Sequence, residues 1–342
     1  MLQHTRSAGT EVVGAVAALT TLLTVLLVAF AWPASEIAPR DLPVAVAGPP
    51  GAAAQIDGAL AQALGPDAID VTAVPSREAA VDAIEDREVY GAVVLSPAGE
   101  ELLVASAAGP AVAQLLGQVG ERLAAASGTA PTMTDVVPLP PADPRGVVFG
   151  AGSFPLVLGG LAAAAILSLR VPGRGSRVAG AIGVAVAAGL ALTAVLQLWL
   201  DALGGSYLAN AGVVALAIGS IALVLVGLRN VLGLAGLGLG AAVVLLLGNP
   251  LSGITSAPEL LPAGWSTLGQ LLPPGAAGSA LRSTAFFDGA GASAPLLVLG
   301  GWVALGLVLA MAPVGRGPEQ EAARRTPEEP AKTGVTAGLA GI

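Results

Sequence analysis

Cysteine is absent from the 342 residues, histidine and lysine occur once each, and only 11% of the chain is charged. Without cysteine there is no disulfide, no thiolate metal site and no thiol nucleophile. His4 is the single imidazole, so no serine has a histidine to activate it and no nucleophile–base pair can be assembled. The single lysine, Lys332, lacks the preceding glycines of a Gly-x-x-x-x-Gly-Lys-Ser/Thr phosphate loop. Residues 47–51 (AGPPG) form a poor phosphate cradle, because proline has no N–H to offer. These absences exclude an enzyme and call for no cofactor or metal. Glu85, Asp86 and Glu88, and Glu100 with Glu101, lack the alternating oxygen spacing of a calcium loop and read as solvated charge.

Apolar residues are abundant instead, at 54%, with a mean hydropathy of +0.80. Soluble domains carry about 25% charged residues, so the composition indicates a polytopic membrane protein. The net charge of −8 is concentrated: residues 33–147 hold fifteen acids and five arginines. Such a balance repels nucleic acid and anionic lipid and suits a solvated outer domain.

Taken in order, the chain predicts a cytoplasmic head (1–11) and a first span (12–32). A cleaved signal peptide is the competing reading of that span, but its apolar core exceeds the usual ~7–15 residues. An extracytoplasmic α/β domain follows at 33–127, with the pattern strand, helix, strand, helix, two strands, helix. Residues 43–47 (PVAVA) read as a buried strand, and 69–74 (IDVTAV) as a half-buried one. Ser76 is placed to cap a helix, and Pro110 opens another with a stripe of Val112, Leu115, Leu116, Val119 and Leu123. Strands joined through helices predict a mostly parallel sheet. A linker at 128–147 holds five prolines and reads as a stiff extended spacer.

Five further spans are expected near 149–169, 178–200, 211–228, 231–247 and 294–314, within a membrane domain at 148–314. Arg170, Arg174 and Arg177 crowd one connection and Arg229 marks another. By the positive-inside rule both termini are cytoplasmic and the α/β domain is outside. The fold class expected is thus an α-helical membrane protein of six transmembrane helices in the plasma membrane, with the α/β insert between spans one and two. The outer loop 248–293 reads as two short re-entrant or interfacial helices. Spans without mid-membrane charges disfavour a proton- or sodium-coupled carrier. Small residues (Gly159, Gly160, Gly180, Gly183, Ala187, Gly236 and Gly240) predict close helix packing. The tail 315–342 balances four basic and four acidic residues and is expected to be disordered.

The order of one span, an outer α/β insert, a proline-rich return and five spans resembles the type-2 ABC exporter permeases, in the branch with phage-infection-protein-like membrane proteins. LPVAVAG (42–48), SREAAVDAIEDREVYGAVVLSP (76–97), DPRGVVFGAGSFPLVLGGLAAA (143–164) and LLPPGAAGSALRSTAFFDG (271–289) carry the likeness. It implies a permease that moves a hydrophobic or amphipathic compound outward with a separate ABC ATPase, as a homodimer or with a related permease. Two features depart from that pattern: the head is short, and 170–177 is too short for a coupling helix. Either the ATPase docks on a reduced surface or ATP coupling has been lost. Candidate residues for a translocation path or outer gate are Gln197, Trp199, Asp201, Trp265 and Arg282, with interfacial anchoring as the competing reading. Candidates for the cytoplasmic coupling surface are Arg170, Arg174, Arg177 and Arg229. The alternative function is a non-transporting envelope protein whose acidic α/β domain binds an extracytoplasmic partner.

Overall fold

A computed structural model describes residues 8–97, 99–127 and 131–313. The expectations for His4, Lys332 and the tail from 314 onward lie outside the described residues, as does the side chain of Leu123.

The first helix, α1 (Ala8–Ser35), is longer than the predicted span, and none of its apolar window is buried against the rest of the protein. The α/β region follows as β1 (Leu42–Ala47), α2 (Ala52–Leu64), β2 (Ile69–Val74), α3 (Arg77–Glu85), β3 (Gly91–Ser96), β4 (Gly99–Val104), α4 (Pro110–Ser127) and β5 (Thr132–Asp135). The sheet order is β2-β1-β3-β4-β5. β1 pairs in parallel with β2 and β3, and β4 with β5, while β3 and β4 form an antiparallel hairpin. Ser76 caps α3 as expected, its Oγ accepting from Ala79 N–H at 3.2 Å.

The proline-rich return differs from a free spacer. Its first part is β5, bonded along the edge of β4, because residues 132–135 (TMTD) lie between Pro131 and Pro138 and keep their N–H donors.

Alternation along the strands sends side chains to two faces. Ala45, Ala47, Ala92 and Leu103 pack with α3 on one side, whereas Leu42, Val44, Leu102 and Val104 pack with α2 and α4 on the other. Both clusters borrow from the loop expected at 248–293: Phe287 joins the first, and Ala257 and Leu260 the second. The α/β region and the membrane bundle therefore share a core.

The bundle consists of α5 (Val147–Arg170), α6 (Arg174–Thr193) extended by a π turn (Ala194–Trp199), α7 (Tyr207–Leu232), α8 (Leu234–Val243) with a second π turn (Val244–Gly248), α9 (Trp265–Leu271), α10 (Pro273–Phe286) and α11 (Ser293–Met311). Among the described residues, five helices are long and apolar enough to cross a membrane. The fifth span, predicted at 231–247, is shorter than expected. α7 continues through Arg229 and Asn230 to Leu232, and the chain turns at Gly233 with φ 70°. That leaves ten α-helical residues and a five-residue π turn, about 22 Å at 1.5 Å per residue, against the ~30 Å of a hydrocarbon core. Arg229 is not in a tight turn but in the last turn of α7, where a cation is favoured by the helix dipole. The Asn230 amide donates to Leu309 O at 2.9 Å near the end of α11.

α7 is the central helix, with 78% of its apolar window buried. Close approach depends on small residues: Gly189 of α6 lies against Ala211 and Ala215, Gly160 of α5 against Ile221, and Gly306 of α11 against the Leu223–Val224 backbone. The face of α6 that packs is Ala181, Ala185 and Gly189. Gly183 meets nothing within 4 Å, and Ala187 is exposed.

Candidate functional site

α9 and α10 form a hairpin whose turn lies deep in the bundle. Pro274 sits against Gly248, and the Trp302 indole donates to Leu271 O at 2.8 Å midway along α11. At the other end of α10, Thr284 Oγ1 donates to Asn210 Oδ1 at 2.7 Å near the start of α7. α10 is buried along most of its length, so of the two readings for this loop the interfacial one fails for α10. Its alanines and glycines give it the narrow profile that burial among α5 and α7 requires.

Where the hairpin meets the α/β region, the surface encloses a cleft of about 570 Å³. Its polar lining begins with Arg87, in the turn after α3. There the Glu88 and Val89 N–H groups both donate to Ala83 O, at 2.9 and 3.2 Å. Arg87 itself adopts a left-handed φ of 61°, uncommon for a side chain of this size. The turn delivers the guanidinium to the C-terminal part of α10. Nη1 donates to Ser279 O at 3.0 Å and to Ser283 Oγ, and Cζ stands 5.4 Å above the Phe287 ring.

Tyr90 reaches the same cleft from the start of β3, and its Oη donates to Glu259 Oε2 at 2.6 Å. Glu259 is held on a short 3-10 turn opened by Pro258. From α9, Gln270 donates through Nε2 to Ser252 O at 3.0 Å and accepts from Ser279 Oγ at 2.6 Å. Burial lowers the Arg87 pKa. Burial and the Glu259 carboxylate push the Tyr90 phenol well above its ordinary value. Both groups keep their protons at neutral pH. Leu271, Pro295 and Val298 add an apolar wall, and Leu271 is also 54% exposed at the hairpin's outer surface. The cleft thus offers a guanidinium, a carboxylate, a phenol and an amide beside an apolar edge that continues onto the outer surface. Among the described residues no group of three or more histidine, cysteine, aspartate or glutamate side chains could hold a metal. Such a lining suits recognition of an amphipathic molecule.

The residues predicted for a path are dispersed. Gln197 donates to Gly205 O at 2.9 Å and accepts from Asn210 at 3.0 Å. With Thr284 it makes a polar latch around fully buried Asn210. Trp199 is 78% exposed, and Asp201 is exposed at a turn with φ 49°. Trp265 packs edge-on against Trp32, with centroids 5.4 Å apart, pinning the end of α1 to the hairpin. Arg282 is 3% exposed inside the bundle and donates through Nη2 to Ile254 O at 2.8 Å. Of the five, none lines the 570 Å³ cleft.

Of the predicted coupling residues, Arg170 and Arg174 flank the connection 171–173, and Arg177 Nε donates back to Val171 O at 2.8 Å. Arg229 lies on a different helix end, its Nε buried without an acceptor. Sequence reasoning missed Arg87, Tyr90, Glu259 and Gln270. The available signal was Glu259, a lone acid between apolar residues in a loop that otherwise reads as membrane-associated. Comparison with family models, with curated proteins and with solved structures found no match to this chain.

Proposed function

We propose that this chain is the permease subunit of an ABC-type exporter that moves a hydrophobic or amphipathic compound outward, with ATP hydrolysis supplied by a separate subunit. The observation that carries this reading is the cleft between the α/β region and the α9–α10 hairpin, polar on one side and apolar toward the outer surface. It is where a lipid-like compound could leave the bundle with its polar end already met.

The proposed topology has six crossings, both termini cytoplasmic and the α/β domain outside. Asn230 bonds to the end of α11, whereas Glu259 bonds to Tyr90 of the α/β region. These bonds support a path for the chain between them from one end of the bundle to the other. That path is a broken crossing, with α8 followed by the irregular stretch 249–257. Irregular backbone at membrane depth is tolerated where protein satisfies it, and Gln270 and Arg282 serve the carbonyls of Ser252 and Ile254. Arg170, Arg174, Arg177 and Arg229 then face the cytoplasm, in keeping with the positive-inside rule.

One observation favours the alternative, a non-transporting envelope protein. Only residues 171–173 separate α5 from α6, which leaves little surface for an ATPase. Purification from native membranes separates the two. An exporter brings down an ATPase whose turnover responds to the permease. The alternative brings down none, and reversing the exposed charges Asp82, Glu85 and Asp86 to lysine abolishes its phenotype. Repeated absence of an ATPase refutes the exporter reading.

A further inference from the structure

A second cavity, of about 230 Å³, is lined by Pro110, Arg145, Gly146, Val147, Thr255 and Arg282 among others. Arg282 is 3% exposed, yet its Nε is buried without an acceptor. Its direct partners are the Ile254 carbonyl and the Phe149 ring, 5.1 Å from Cζ; Glu259 acts on it at longer range and is shared with Arg87. Among the described residues the one ion pair is Arg77–Glu101, far from here in the chain. A buried ion with no counter-ion is costly, on the order of several kcal/mol. Among the described residues no anion is in direct contact with Arg282.

The surroundings fit one. Two long helices begin at this cavity, α4 with 18 residues and α5 with 24, although α4 opens on Pro110, which has no N–H to offer. The first N–H groups of a helix have no intrahelical acceptor and carry partial positive charge. Arg145 adds a second guanidinium from the exposed side. Besides Glu259, which bonds to Tyr90, buried Asp143 is near and accepts from Phe149 N–H at 2.9 Å through Oδ2. It takes part of α5's donor capacity but forms no ion pair with either arginine.

We propose that this cavity binds a phosphate group, held between Arg282 and Arg145 at the starts of α4 and α5. A phosphate presents tetrahedral oxygens to donors arriving from several directions, whereas a carboxylate has two coplanar ones. The phosphate comes either from a phospholipid headgroup or from a soluble phosphate, and the proposal is independent of the export reading.

The test uses the full chain, as wild type and as Arg145→Gln, whose exposed position spares the fold. Calorimetric titration in phosphate-free detergent measures inorganic phosphate binding. Thermal unfolding in discs of a phosphate-free glycolipid, with and without phosphatidylglycerol, measures the headgroup. Phosphate binding weakened at least about tenfold by R145Q supports a soluble source. A midpoint raised by phosphatidylglycerol alone, and not in R145Q, supports a headgroup. The proposal is overturned if neither ligand acts, or if R145Q responds as wild type does.

Discussion

Removing one hydroxyl, in Tyr90→Phe, tests whether the α/β region is fastened to the hairpin through Glu259. The phenol donates at 2.6 Å to a carboxylate oxygen, and hydrogen bonds to charged groups contribute about 1.5–3 kcal/mol. Phenylalanine keeps the ring packing, so the loss isolates the bond. Equilibrium unfolding in detergent, followed by tryptophan emission, should show Y90F destabilised by about 2 kcal/mol. Combined with Glu259→Gln, the double variant should lose less than the sum of the singles, with a coupling of about 1 kcal/mol or more.

The same contact sets a pH dependence. The folded-state pKa of Tyr90 is raised above the unfolded value. Its contribution is therefore complete below about pH 10 and lost as pH rises beyond it. Near-ultraviolet difference absorption between wild type and Y90F should show no tyrosinate from Tyr90 at about pH 11. Additive variants, or tyrosinate appearing from Tyr90 at that pH while the protein stays folded, would refute the fastening.

Other perturbations follow from packing and charge. A Cβ on Gly306 would stand 2.6 Å from the Leu223–Val224 backbone, whereas one on Gly300 meets nothing within 4 Å. G306A should therefore lose about 1–3 kcal/mol of unfolding free energy, and G300A should lose none; equal stability would show that α7 and α11 are not in direct backbone contact. The Arg77 guanidinium, bonded at 2.7 and 2.8 Å, holds the Glu101 carboxyl below its ordinary pKa. The pair's contribution is present above the ordinary carboxylate range and lost as pH falls through the lowered value. E101Q should be slightly less stable than wild type at neutral pH, and the two should converge in acid.

The α/β region was legible because its signals are local. Fully apolar β1, the Ser76 cap and the Val112–Leu116–Val119 stripe each depend on neighbours a few residues apart. β5 was not, since a threonine-rich edge strand beside prolines becomes a strand only through β4, about thirty residues earlier. The shortness of α8 had a related cause. Arg229 and Asn230 look like a loop, but a cation near a helix C-terminus and an amide bonded to Leu309 stay helical. The cleft was hidden for a third reason. Arg87 lies 192 residues from Ser279, and Tyr90 lies 169 from Glu259, and no periodicity spans such distances. Arg282 stood out in the sequence as a polar group in an apolar setting; its burial and its Ile254 partner required the fold.

The same few side chains serve both the irregular stretch 249–257 and its junction with the α/β region. Gln270 holds Ser252 O and accepts from Ser279 Oγ, while Arg87 holds Ser279 O and Ser283 Oγ one turn further along α10. Arg282, between those serines, holds Ile254 O. A displacement of the α/β region that moves Arg87 therefore acts on the segment whose neighbours fix the carbonyls at 252 and 254. An intact helix at this position would resist such a displacement with a ladder of consecutive backbone bonds. Here the restraint is a handful of side-chain bonds, each contributing about 0.5–3 kcal/mol, a scale that binding of one small ligand can match. Under the proposed export function, a compound seated in the cleft against Arg87 and Gln270 would compete for those bonds, so occupancy of the cleft and loosening of the crossing would be a single event.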